Sequence, residues 1–206
     1  MAREAYTDPL RNFKFQATIF PTGAGLKAHV GDAIGNLGFT VVSGLTVQHE
    51  MIAYREGGMN THPHKMIGQS DYGPVTFSKG VFGHEKSLWA WNTFLHSWSQ
   101  GGQSGGSTST DNDYRADIVV RIFDHPVSSG TYASAGTTGE ASTPAGGVKM
   151  AYKLYNCWPG SYSLTDLNAG DSSIMIQQMV INHEGFDLAF SDGGRTEVDE
   201  ADLQIS

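Results

Sequence analysis

Alternation between apolar and polar residues is the main pattern of this chain, and it predicts a protein built mostly from β-strands. Apolar side chains recur at every second position in five runs, which is the spacing of one face of a strand. These runs cover residues 13–20, 74–81, 114–124, 148–158 and 172–184. A shorter strand is predicted over residues 37–42, and Pro159-Gly160 predicts a turn after the fourth run.

The longest alternating run covers residues 45–56 and leads into the sequence Tyr54-Arg55-Glu56-Gly57-Gly58. Both parities of this run mix polar and apolar residues, so neither face is an ordinary core face. The run is either a hairpin strand with one face in water or a strand whose second face meets another protein chain. Residues 57–73 show no clear periodicity and are predicted to form a long loop.

Helical periodicity is clear in one place, residues 84–98. Apolar residues spaced at i, i+3, i+7 and i+10 form one stripe along a helix. We expect this aromatic-rich stripe to cover an open sheet face or the end of a barrel, with packing by Leu88, Trp91, Leu95 and Trp98.

The remaining segments are polar or low in complexity. Residues 1–11 are predicted to form a flexible arm, and residues 187–206 an acidic extension. Residues 99–113 and 125–147 are rich in Gly, Ser and Thr and are predicted to be long insertions. About seven strands with one helix predict a single domain over residues 1–206, an antiparallel β-sandwich or barrel with one flanking helix.

The charge balance makes a nucleic-acid-wrapping protein improbable on physical grounds. Lys and Arg number 13 against 21 Asp and Glu, giving a formal net charge of -8. Binding that neutralises phosphates needs basic patches, whereas an acidic surface repels DNA. The single cysteine, Cys157, excludes an intrachain disulfide. The pattern of apolar runs predicts neither a signal peptide nor a membrane span.

No motif in the sequence predicts an active site, a cofactor or a metal. His62-Pro63-His64 comes nearest to a metal pair, but no spacing fits a zinc or calcium template. Ser43 lacks the surrounding glycines of a nucleophile elbow, and Cys157 fits a buried, inert thiol. We therefore expect a protein that is not an enzyme. One remote alternative is a carbohydrate-binding or hydrolytic β-sandwich with a sugar platform made of Trp89, Trp91 and Trp98.

Several motifs, taken in order, resemble the contractile phage tail tube protein family. The family's start and its central strand resemble residues 8–15 and 42–58, and its helix motif resembles Leu88-Trp89-Ala90-Trp91. Further matches are residues 156–162, 166–169 and 174–185. The same family includes the inner tubes of contractile injection systems and is more distantly similar to the type VI secretion tube. The two long insertions depart from the family pattern.

The resemblance implies a subunit of a stacked tube. In the family six subunits close a β-barrel ring around a channel, the helix packs on the outside, and a sheath surrounds the tube. It implies partners that are other copies of the chain, the sheath, the baseplate and tail terminator, and the tape measure protein. DNA would pass through the lumen without specific binding. The expected location is the virion tail, assembled in the host cytoplasm; the alternative is a DNA-free injection device that carries protein effectors.

The resemblance also assigns roles to particular residues as hypotheses. One face of the long strand would pack on its own subunit, and the other would line the channel with Gln48 and Glu50, joined by Gln177. Residues 57–73 would form the loop between rings, and residues 1–11 would contact the same neighbour. The inter-ring residues would be Arg11, Asn12, Arg55, Glu56, His62, His64 and Asp71.

Overall fold

A computed structural model describes residues 10–31, 34–58, 61–83, 85–100, 113–123, 148–170 and 172–190. Within these ranges the chain forms ten strands and two helices. The elements are β1 (Phe15–Pro21), α1 (Ala24–Val30), β2 (Ile34–Leu37), β3 (Phe39–Ser43), β4 (Val47–Tyr54), β5 (His64–Tyr72), β6 (Val75–Gly80), α2 (Ser87–Ser99), β7 (Ala116–Phe123), β8 (Val148–Leu164), β9 (Ile176–Asn182) and β10 (Gly185–Phe190). The prediction of a mainly β, antiparallel fold is confirmed.

Eight of the ten strands belong to one sheet, in the order β2-β1-β7-β8-β9-β6-β3, with β10 also paired to β8. The two ends of this order do not meet, so the described strands of a single chain form an open sheet and not a closed barrel. Buried apolar residues from β1, β7 and β8 share one cluster with those of β6 and β9. The two halves of the sheet therefore enclose a common core.

Strand β8 is 17 residues long and connects the two halves. Its first part pairs with β7 and β10, and its second part pairs with β9. The change occurs around Asn156, whose φ is 51° and whose backbone amide donates to Asp117 Oδ1 at 3.1 Å. The predicted turn at Pro159-Gly160 is wrong, because a shift in register between Pro159 and Ser161 lets the strand continue past the proline.

A second helix, α1, follows β1, and the periodicity of the sequence did not predict it. The helix has seven residues, and Leu26 is its one buried side chain, so no apolar stripe is long enough to show in the sequence.

The segment predicted as one strand over residues 37–42 takes part in two strands. Strand β2 pairs with β1 and β3 pairs with β6, so the chain changes sheet partner at Gly38.

Two further predictions were wrong. Residues 57–73 are not a loop throughout, because β5 occupies His64–Tyr72 and pairs with β4. The predicted extension 187–206 begins within a strand, since β10 runs to Phe190 along β8. The predicted arm, the two insertions and the acidic extension otherwise lie largely outside the described residues.

Helix α2 is fixed to the sheet by its apolar face. Leu88, Trp91 and Phe94 are buried, Leu95 is half-buried, and Trp98 remains 46% exposed. The Trp91 indole Nε1–H donates to the backbone oxygen of Tyr114 at 2.9 Å. Burial of an aromatic side chain of this size removes about 150–250 Å² from water, which contributes roughly 4–6 kcal/mol.

Candidate assembly surface

Strands β4 and β5 form a separate two-stranded hairpin. Every residue of β4 is exposed, and so is every residue of β5 except the half-buried Gly68. The expectation that one face of this strand packs on its own subunit is therefore wrong for the single chain. A two-stranded sheet without a covering layer is only marginally stable in water.

Both faces of the hairpin carry large apolar side chains. The register pairs Met51 with Ile67 on one face and Ile52 with Met66 on the other. These four side chains are between 48% and 73% exposed. Contiguous exposed apolar surface of this kind marks interaction sites in soluble proteins. We call this hairpin surface, residues Val47–Tyr54 and His64–Tyr72, the hairpin blade.

The register of the blade shifts between His49 and Met51. Gly68 lies opposite this shift, and a Cβ there would approach the Glu50 Cβ and backbone oxygen to 3.1 Å. A side chain at this position would be tightly packed, and Glu50 would have to shift by a few tenths of an ångström to admit it. Both outer edges of the blade lack a pairing strand in the described part of the chain, and such edges can pair with another chain.

The root of the blade is held by several short contacts. Gly44 has a φ of 97°, and a Cβ at this position would lie 2.5 Å from the Pro74 backbone oxygen. The Gly73 amide donates to the Thr46 backbone oxygen at 3.1 Å. His183, which is 9% exposed, places Nε2 at 3.0 Å from the Gly73 backbone oxygen. These contacts hold the root of the blade against the eight-stranded sheet, which we call the body.

The same histidine makes a second contact at the start of β10. Its Nδ1 lies 3.1 Å from the backbone oxygen of Gly185. The rings of Tyr72 and Phe186 lie beside it, with centroids 5.8 Å and 6.1 Å away. Sequence analysis did not single out this residue for the root of the blade. His183 lies within the alternating run over residues 172–184, and nothing in that pattern indicates this contact.

The structure brings most of the predicted inter-ring residues to the free end of the blade. Arg55, Glu56, His62 and His64 are exposed there, and the two histidine rings lie 6.2 Å apart. Asp71 does not join them, because it lies near the root opposite Gln48. Arg11 and Asn12 are exposed before β1, away from these strands in the sequence. Their inter-ring role stays a prediction.

The three predicted channel residues are separated. Gln48 and Glu50 are exposed on the blade. Gln177 lies on β9, is 7% exposed and accepts a hydrogen bond of 2.8 Å from the Tyr162 hydroxyl. This burial argues against a place for Gln177 on a channel wall, whereas the assignment of Gln48 and Glu50 stays a prediction.

The tryptophans do not form a sugar platform. Trp91 is fully buried, while Trp89 and Trp98 are 55% and 46% exposed. Nine positions along a helix place these two side chains about half a turn apart, on opposite sides. Each contacts a different tyrosine: Trp89 lies 5.4 Å from the Tyr162 ring, and Trp98 lies 4.5 Å from that of Tyr114.

Chemically reactive groups are sparse in the described ranges. Burial and the nearby carboxylate of Asp117 raise the pKa of the Cys157 thiol far above its ordinary value, which leaves it inert. Across the residues that the structure describes, no three His, Cys, Asp or Glu side chains are grouped to hold a metal ion. None of the described helices is long and apolar enough to cross a membrane.

The family model described as T4-like virus tail tube protein gp19 matches residues 11–187. The chain is similar to one in the anti-feeding prophage baseplate, with a TM-score of 0.64 and 15% identity over 89% of this chain and 97% of that chain. For the anti-feeding prophage tube terminating cap the TM-score is 0.60, at 18% identity over 92% and 97%. For the PVC sheath-tube complex of an extracellular contractile injection system it is 0.59, at 21% identity over 89% and 93%. No curated protein matches the sequence.

Proposed function

The chain belongs to the T4-like virus tail tube protein family, and from that premise we propose that it forms stacked hexameric rings around a channel through which DNA leaves the particle. It is a structural tail tube subunit of a phage-like or contractile injection system. The observation that carries the ring proposal is the hairpin blade. A subunit that keeps two apolar faces and two unpaired strand edges in water is incomplete on its own.

In this proposal each blade pairs with the neighbouring subunit and closes a continuous barrel around the lumen. Closed barrels remove the exposed edges that a single chain carries. Rotation of one subunit onto the next by a heterologous contact gives a ring when the angle closes. Gln48 and Glu50 would then face the channel. The free end of the blade, with Arg55, Glu56 and His62, would reach the next ring.

The charge of the chain supports passage of DNA without binding. The net charge is -8, and the predicted channel residues include Glu50 and no cation. A wall of this kind repels phosphate, so that DNA can move past it. The fold and charge of the chain are equally compatible with the alternative function, a tube that carries protein effectors. Sequencing the genes beside this one decides between them: capsid and terminase genes support DNA passage, and their absence beside toxin genes contradicts it.

The proposed partners follow from the tube. Similar chains come from complexes described as a baseplate, a cap and a sheath-tube assembly. We therefore place a sheath around the outside and a terminator and baseplate at the two ends. A tape measure protein would occupy the lumen before ejection. The particle, and not a membrane, would be the location of the mature protein.

Electron microscopy of the purified full chain tests the ring. The wild-type chain should form rings or tubes, and Ile67→Glu should prevent them while leaving the body folded, because Ile67 is 73% exposed in the single chain. Leu167→Glu is the matched control, since Leu167 is 85% exposed but lies outside the blade. Rings from the Ile67 variant at wild-type yield would contradict the proposal, as would a wild-type chain that stays monomeric at high concentration.

A further inference from the structure

The two faces of the hairpin blade differ in charge. Glu50 and Ile52 lie on one face, because a Cβ at Gly68 would meet both the Glu50 Cβ, at 3.1 Å, and the Ile52 Cγ1, at 3.3 Å. Gln48 lies on this face as well, since side chains two positions apart in a strand share a face. Met66 joins them, because it is paired directly with Ile52. The face of Met66 is therefore the one with the two residues that we place on the channel wall.

The opposite face is apolar at the same level of the blade and lacks these two residues. Met51 lies on it, as the neighbour of Ile52 in β4, and the register pairs Met51 with Ile67. The side chains of this pair are 56% and 73% exposed. Cover by another protein chain would remove this apolar surface from water, whereas burial of an ionised Glu50 would be costly. Of the two faces, the one with Met51 is thus better suited to docking on a neighbouring copy.

We propose that Met51 makes ring assembly sensitive to oxidation: as a sulfoxide, it prevents the free subunit from docking on the next copy. Hydrogen peroxide supplies one oxygen atom to the thioether sulfur; the O–O bond breaks, an S–O bond forms and water leaves. The sulfur is oxidised and the peroxide is reduced. The sulfoxide is polar, so its burial beside Ile67 without a hydrogen-bond donor is unfavourable. The inference rests on the proposed function, because it takes the blade as the ring-forming surface.

The free subunit exposes this sulfur and hides another. Met51 and Met66 are each 56% exposed, whereas Met179 in β9 is 1% exposed. The Cys157 thiol is buried as well, and its raised pKa keeps it from reacting as a thiolate. Docking would cover Met51 and leave Met66 beside the water of the channel. Peroxide should therefore modify both blade methionines before assembly, and Met66 in preference to Met51 afterwards.

Peroxide treatment of the dilute full chain, followed by electron microscopy over a range of protein concentrations, tests the contact. Peptide mapping by mass spectrometry should find sulfoxide at Met51 and Met66 and none at Met179. After removal of the peroxide, the wild-type chain should need at least about a tenfold higher concentration to form rings, the effect of burying one polar group without a partner. Met51→Leu keeps the size and apolar character of the side chain, so it should assemble equally before and after treatment.

Met66→Leu is the matched control, since Met66 lies at the same level of the blade and is equally exposed. This variant should lose assembly on treatment as the wild-type chain does, and methionine sulfoxide reductases should restore it. Wild-type chain that is fully oxidised at Met51 and assembles at the untreated concentration overturns the proposal. Treated Met51→Leu that fails to assemble overturns it as well, as does equal oxidation of the two methionines in assembled rings. If the untreated wild-type chain forms no rings, the proposed function fails and this inference falls with it, whereas rings that withstand oxidation count against this inference alone.

Discussion

Lys79 of β6 and Glu85 of the loop between β6 and α2 form an ion pair, and Glu85→Gln tests how much this pair stabilises the chain. Lys79 Nζ donates to Glu85 Oε2, and the lysine side chain is 1% exposed against 22% for the glutamate. The Phe82 ring lies on another side of the ammonium, with 5.6 Å from Nζ to its centroid. The substitution leaves a buried ammonium facing a neutral amide.

The expected loss is about 3 kcal/mol in the free energy of unfolding, because removal of one partner from a buried pair costs roughly 3–5 kcal/mol. We take the lower end since the glutamate reaches some solvent. With a urea m-value of about 2 kcal/mol per molar, the unfolding midpoint should fall by about 1.5 M. Urea titrations followed by tryptophan fluorescence at matched protein concentration measure this shift.

A second variant separates the cost of burying the Lys79 ammonium from the stabilisation that its pairing with Glu85 provides. Lys79→Met combined with Glu85→Gln removes both charges, and an apolar replacement of a buried pair is often neutral. The double variant should therefore be more stable than Glu85→Gln alone. The control is Glu56→Gln, an exposed carboxylate that should change stability by no more than about 0.5 kcal/mol. If the double variant loses more stability than the single one, the ammonium is not the source of the cost and the reasoning is refuted.

Two other predictions concern the core. Trp91→Phe should reduce the unfolding free energy by about 2 kcal/mol, because it removes the hydrogen bond to Tyr114 and leaves a small cavity; an unchanged urea midpoint would contradict this. Cys157 should resist a maleimide or iodoacetamide at about pH 8.5 in the folded chain, since its raised pKa suppresses the reactive thiolate. Mass spectrometry checks the adduct: full labelling without denaturant would be the contrary result, and full labelling in urea is the control.

The strands that the sequence predicted well bury apolar residues at alternate positions. In β7, Ala116, Ile118 and Val120 are buried at every second position, which is the signal that a periodicity of two detects. The helix α2 was equally clear because Leu88 and Trp91 share one buried stripe. A face that is buried within the chain is therefore visible in the sequence as a periodic spacing of apolar residues.

Strand β5 and helix α1 escaped prediction for the opposite reason. Strand β5 buries neither face within the chain, so its sequence has no alternation of buried apolar and exposed polar residues. Its partner β4 was predicted within the run over residues 45–56, but the mixture of polar and apolar residues on both faces left open whether the strand faces water or another chain. Helix α1 buries a single residue, Leu26. The contact of His183 with the root of the blade depends on residues 110 positions apart, which local pattern cannot connect.

Strand β8 gives the subunit a mechanical property. Because one backbone carries pairing with β7 and β10 in its first part and with β9 in its second, a pull along that backbone reaches both halves of the sandwich through covalent bonds. Hydrogen bonds between antiparallel strands stand perpendicular to the strand direction. An axial load on β8 therefore acts on them in shear, all at once, and not by opening them one after another. A load applied along β8 is therefore shared by the pairing on both sides of Asn156.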